Sequence, residues 1–147
     1  RSMLRAVHTS KKDLYTPGNE LDRAIEVYAK VFMPSLHEVL AGKREYEAPS
    51  VEVAWVWHLH KLDPIAYKND CEAAFGMVLH APSGTSPFLF SRHSGHTDNA
   101  TSSSQFAISC NIRDCATRQA AFLWQVRGIN YEDQDFLGSA VLRYVML

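Results

Sequence analysis

The sequence predicts an all-α domain: an orthogonal bundle of about five helices interrupted by one long polar loop insertion. Apolar residues recur at three- and four-residue spacing in several separate stretches, the period of an amphipathic helix. Helix-starting and helix-stopping residues punctuate those stretches, most clearly Asp63-Pro64 and Gly76. Between residues 81 and 104 the composition shifts to Ser, Gly, Thr, Pro, Asn and His, which reads as a loop or partly disordered insertion.

Tyr15-Thr16-Pro17-Gly18 reads as a turn. Asn19 is then placed to cap a helix whose first turn carries Glu20 and Asp22, complementing the helix dipole. Its inward face is expected to be Leu21, Ala24, Ile25, Tyr28, Phe32, Leu36 and Leu40, with Gly42 ending it. Pro34 lies inside that pattern; it lacks an N–H and crowds the preceding turn, so a kink or two abutting helices is expected near residues 30–32. Pro49-Ser50 opens a second helix over 51–62, with Val51, Trp55, Leu59 and Leu62 on one stripe. Asp63 caps a third helix with Pro64 at its first position. That helix should run to about Phe75, turning Tyr67, Cys71, Ala74 and Phe75 inward.

After the insertion, residues 105–110 suggest a short strand. Asn111 or Asp114 starts another helix to about Val126, with Ile112, Cys115, Phe122 and Val126 as its core face. Residues 130–135 read as a polar connection and the remainder as a final helix. Leu137-x-x-Ala140-Val141-x-x-Tyr144 matches Leu21-x-x-Ala24-Ile25-x-x-Tyr28, so residues 130–147 read as the start of a second repeat. Residues 1–147 otherwise read as a single domain, long enough to bury a real core.

With 15 basic and 16 acidic residues the net charge is −1, so no global field draws the chain to nucleic acid or to an anionic membrane surface. No apolar run reaches the roughly 18 residues of a spanning helix, and residues 1–10 do not resemble a signal peptide. The three cysteines, Cys71, Cys110 and Cys115, form no CxxC pair, and their odd number favours a reducing compartment. A cytoplasmic or nuclear protein is expected. Basic residues do not interleave with aromatics as an RNA platform requires, and no phosphate loop is present.

The chemically richest stretch is residues 55–71, which holds Trp55, Trp57, His58, His60, Tyr67, Asp70 and Cys71. On a helix, His58 and His60 point about 200° apart, so one metal ion does not easily take both. The plainer expectation is a buried histidine whose tautomer is set by Tyr67 or Asp70, with the other lining a groove. The metal alternative has His58 or His60 binding zinc or iron with Asp70 or the loop histidines His93 and His96. Trp55 and Trp57 also diverge, so one is expected in the core and the other as an exposed anchor for a partner. Cys71 lies on the apolar stripe of its helix and reads as a small buried hydrophobe.

Trp57-His58-Leu59-His60, followed by Leu62-Asp63-Pro64, Tyr67 and Asp70-Cys71, resembles the plant and fungal glycine-rich domain-containing proteins, in their N-terminal domain of unknown function. The resemblance extends to Ala24-Ile25-x-x-Tyr28, to Phe32-Met33-Pro34, to Arg118-Gln119 through Gln125-Val126, and to Phe136-Leu137-x-x-Ala140-Val141-x-Arg143-Tyr144. It implies a second Trp-His-x-His copy further along the parent protein, an association with stress and developmental regulation and, in some plant members, RNA binding. It implies no catalytic residues, and the Gly-rich tail behind the family's name does not occur in this chain.

The expected function is therefore a non-enzymatic interaction or scaffold module whose Trp-His helix organises the core and presents a groove to a partner protein or a neighbouring repeat. A metal-dependent site and RNA binding are the alternatives. An apolar face left uncovered on the isolated fragment would favour a homodimer.

Overall fold

The computed structural model describes residues 2–85, 90–91 and 106–126. Within these the chain is helical: α1 (Ser2–Thr9), α2 (Asn19–Val27), a π turn (Tyr28–Phe32), α3 (Met33–Leu40), α4 (Val51–Lys61), α5 (Pro64–Phe75) and α6 (Ile112–Val126). Since α2, the π turn and α3 run on as one continuous rod, five helical bodies form an orthogonal bundle, as the periodicity predicts. None of the described helices is long and apolar enough to cross a membrane.

The regular ladder is interrupted where Pro34 requires it, by the π turn. Proline offers no N–H to the preceding turn. The backbone widens just before it, and the Met33 N–H reaches back to the Tyr28 carbonyl, five residues away. Tyr28, Phe32, Met33, Pro34 and Leu36 are all buried on the inner side of the rod.

The second expected helix takes a more central place than a single apolar stripe implies. Val53, Ala54, Trp55, Val56, Trp57, Leu59 and His60 of α4 are all buried. A helix that is apolar around most of its circumference is an interior helix, and α4 packs against α1, α2, the π turn, α5 and α6. Leu62, expected on the stripe, is half exposed because it already belongs to the corner. Ser50 caps α4, its Oγ accepting from the Val53 N–H. Asp63 caps α5, its Oδ1 accepting from the Ala66 N–H at 3.0 Å, and Pro64 occupies the first helical position. Gly76 ends α5 in the left-handed region at φ 71°, a conformation that side-chain-bearing residues resist.

Several expectations change. Residues 2–9, to which the sequence pattern assigned no element, form α1, because Met3 and Val7 recur at i, i+4 and both reach the core. Asn19 is the first residue of α2 rather than its cap; Gly18 holds the cap position, and no side-chain cap bond forms. Residues 106–110 form no strand; the only bridge among the described residues joins Ser50 to Ser91. Ala74 faces solvent, and on α6 Ile112 and Cys115 are buried with Ala116, whereas Phe122 is half exposed. Most of the insertion, the polar connection, the final helix and the repeat match fall outside the described residues.

The corner's end signals make a measurable contribution. Asp63→Ala should cost about 1 kcal/mol by loss of the cap, and Gly76→Ala about the same because the left-handed position admits no Cβ cheaply. Urea unfolding of each variant checks both values, and an unchanged midpoint for either would refute its assignment.

Candidate functional site: a buried histidine network on the central helix

At its C-terminal end α4 turns His60 fully inward, into a cage supplied by three other segments. Its Nδ1 lies 2.9 Å from the Tyr28 hydroxyl, in the π turn, and its Nε2 lies 3.1 Å from Asp70 Oδ2 on α5. An ionised carboxylate only accepts, which assigns the proton to Nε2; Nδ1 then accepts from the Tyr28 O–H. The same Asp70 oxygen accepts the backbone N–H of Ser109 at 2.8 Å. Aromatic rings close the cage, with Tyr67 and Tyr28 edge-on to the imidazole and Phe106 tilted against it. Phe106 in turn stacks on Phe75.

A second line of hydrogen bonds runs beside the first. Trp57 Nε1–H donates to the Tyr67 hydroxyl at 2.9 Å, and that hydroxyl donates to the Leu79 carbonyl at 2.8 Å. Burial, the largest cause in each case, pushes the hydroxyls of Tyr28 and Tyr67 and the Cys71 thiol above their ordinary ranges. Each stays protonated and able to donate at neutral pH. Cys71 is fully buried, as its place on the apolar stripe suggests.

Trp55 and His58 belong to a different contact. They stack at 5.6 Å, Trp55 meets Tyr15 edge-on, and its Nε1–H donates to the Leu14 carbonyl at 2.9 Å. Both tryptophans are thus buried, which corrects the expectation that one would be an exposed anchor. A central helix has neighbours on both sides, so side chains about 200° apart each find a core. Lys61 Nζ lies 4.0 Å above the Trp57 ring, a cation on its face.

The structure therefore joins Trp57, His60, Tyr67, Asp70 and Cys71 on one side of α4 and sets Trp55 and His58 on the other. His58 and His60 do not converge. No three His, Cys, Asp or Glu side chains are grouped to hold a metal ion among the described residues, and both nitrogens of His60 are engaged by protein groups. His93 and His96 lie outside the described residues. Sequence reasoning placed Asp70 beside a histidine but missed Tyr28, Leu79, Phe106 and Ser109. Tyr28 stood at a core position of the helical pattern; the backbone groups of Leu79 and Ser109 left no signal of their own.

Fold and site define a small all-helical domain whose aromatic-rich central helix is anchored by buried polar side chains. The chain belongs to the glycine-rich domain-containing protein-like family, whose profile matches residues 71–147. It is 30% identical to glycine-rich domain-containing protein 2 of Arabidopsis thaliana over 152 residues, covering 86% of this chain and 19% of that protein. Glycine-rich domain-containing protein 1 of Arabidopsis thaliana is 25% identical over 154 residues, with the same coverage. The chain spans about a fifth of the length of these relatives. No solved structure matches it.

Two outcomes follow from this geometry. Tyr28→Phe keeps the ring and strands Nδ1 of a buried imidazole, so it should cost about 1–3 kcal/mol, measured by chemical unfolding; a loss below about 0.5 kcal/mol would show that Nδ1 needs no partner. Burial also holds His60 and His58 below the ordinary imidazole pKa of 6.5. The unfolded chain then binds protons first as pH falls. Stability should be fully present above pH 6.5 and decline below it, toward the lower folded-state pKa values. A flat unfolding free energy between pH 7.5 and 5 would contradict neutral, buried histidines.

Proposed function

We propose that this chain is a non-catalytic interaction or scaffold module, regulatory in role, in which the Trp-His helix is the internal support of a partner-binding surface. The observation that carries the reading is the internal use of the motif. Trp55, Trp57 and His60 are buried, and the nitrogens of all three side chains are hydrogen-bonded to protein groups. Chemistry on a substrate would require at least one of these groups to face a cavity.

What the domain offers outward is apolar surface. Between α1 and α6 lies a cleft of about 600 Å³, with Leu4, Tyr15, Leu123 and Trp124 among its apolar walls and Arg5 and His8 at its basic side. Trp124 is 66% exposed and Phe122, two residues before it, 52% exposed. Aromatic residues with exposed faces are effective anchors for a protein partner. The proposal includes a cytoplasmic or nuclear location, no resident metal or cofactor, and contact with a partner protein or neighbouring repeat rather than with nucleic acid.

The test compares the wild-type chain with Trp124→Ser and His58→Ala/His60→Ala variants. Elemental analysis should find no stoichiometric metal in any of them, and the double histidine variant should be markedly less stable. Trp124→Ser in the intact parent protein should weaken co-precipitation of its partners with little change in melting temperature. Zinc or iron at one equivalent in the wild type, lost in the histidine variant, would replace the scaffold reading with a metal site.

A further inference from the structure

The first turn of α6 is built as a reciprocal cap. Asn111 Oδ1 accepts from the Asp114 backbone N–H at 3.2 Å, and Asn111 Nδ2 donates to Asp114 Oδ2 at 2.8 Å. The Asn111 carbonyl accepts the Cys115 N–H at 3.0 Å. With Asn111 as the cap, Cys110 is the residue before it and Cys115 the fourth of the helix. Side chains at those two positions pack together across a helix start, and helices commonly place an apolar pair there. Here both are cysteines, and both are free thiols. Cys115 is buried in the core cluster, and the half-buried Cys110 packs against that cluster, with Cys115 close enough to act electrostatically on its thiol.

The surroundings of the two sulfurs differ. Arg118 Nη2 donates to Cys115 Sγ at 3.2 Å, setting a permanent cation on that sulfur. Burial first, then Cys115, Asp63 and Asp70 as neighbours, push the Cys110 thiol up to about 11. A guanidinium therefore lies against the Cys115 sulfur, while the surroundings of Cys110 hold it as a thiol. That asymmetry suits an attacking and a resolving cysteine.

We propose that Cys110 and Cys115 form a reversible dithiol–disulfide site that takes hydrogen peroxide as its oxidant and clamps the start of α6. The Cys115 sulfur attacks one peroxide oxygen; an S–O bond forms, the O–O bond breaks, and the departing hydroxide leaves as water with the thiol proton. The Cys110 sulfur then attacks Cys115, an S–S bond forms, and the sulfenic hydroxyl leaves as a second water with the Cys110 proton. Two thiols are oxidised by two electrons, and one peroxide is reduced to two waters. A cellular dithiol restores the reduced state by exchange. The clamp acts next to the histidine network, because Ser109, the residue before Cys110, donates its N–H to Asp70.

Arg113 lies between the two cysteines, so tryptic mapping of the native 147-residue chain reads the bond directly. After hydrogen peroxide and alkylation, peptides 93–113 and 114–118 should appear as one species about 2 Da lighter than the two thiol forms together, and separate on reduction. Cys71 should remain a thiol that alkylates only after unfolding. Cys110→Ser should leave a sulfenic acid on Cys115 that a cyclic dione traps, and Arg118→Gln should slow formation of the linked peptide several-fold. Separate recovery of both peptides as alkylated thiols after native oxidation would overturn the proposal. So would a disulfide from either cysteine to Cys71 or to a second chain.

Discussion

The fold depends on satisfying one buried imidazole. His60 points from the central helix into the core and has no exposed surface. Each of its nitrogens needs a partner there, since a buried polar group left unpaired costs about 1–3 kcal/mol. The partners, Tyr28 and Asp70, lie on two different helical bodies. Meeting that requirement sets the position of the α2–α3 rod and of α5 relative to α4. Asp70 then also receives the Ser109 N–H, which ties the approach to α6 into the same arrangement.

Pro34 belongs to this constraint although it touches none of the polar atoms in it. By forcing a widened turn at Tyr28–Phe32, it shifts the phase of the rod at the residue that must meet His60. The rings around the imidazole exclude water from the network. In that low-dielectric setting hydrogen bonds are stronger and their geometry is more narrowly specified. The parallel line from Trp57 through Tyr67 to Leu79 serves the same end, fixing the chain beyond α5 to the face of α4.

This changes the meaning of a Trp-His-x-His motif. Its residue types would suit metal binding or catalysis on a strand or at a cleft, where i and i+2 share a face. On an interior helix the same residues divide between two sides of the core, and their polar atoms join structural elements. Among the described residues, the apolar cleft between α1 and α6 is lined by residues outside that motif.

The sequence by itself determined the features that local stereochemistry controls. These are the helical class, the interruption before Pro34, the Asp63-Pro64 start and Gly76 stop of α5, the helix start at Pro49-Ser50 and the divergence of His58 and His60. Each follows from the φ preference, hydrogen-bonding capacity or helical spacing of nearby residues. Tertiary structure decided which of the divergent side chains are buried and which groups they meet. Tyr28 is 32 residues from His60, Ser109 is 39 from Asp70, and Leu14 is 41 from Trp55. Two of these three partners contribute only backbone atoms, which every residue carries. Nothing in their side chains could signal the contact before packing brought the segments together.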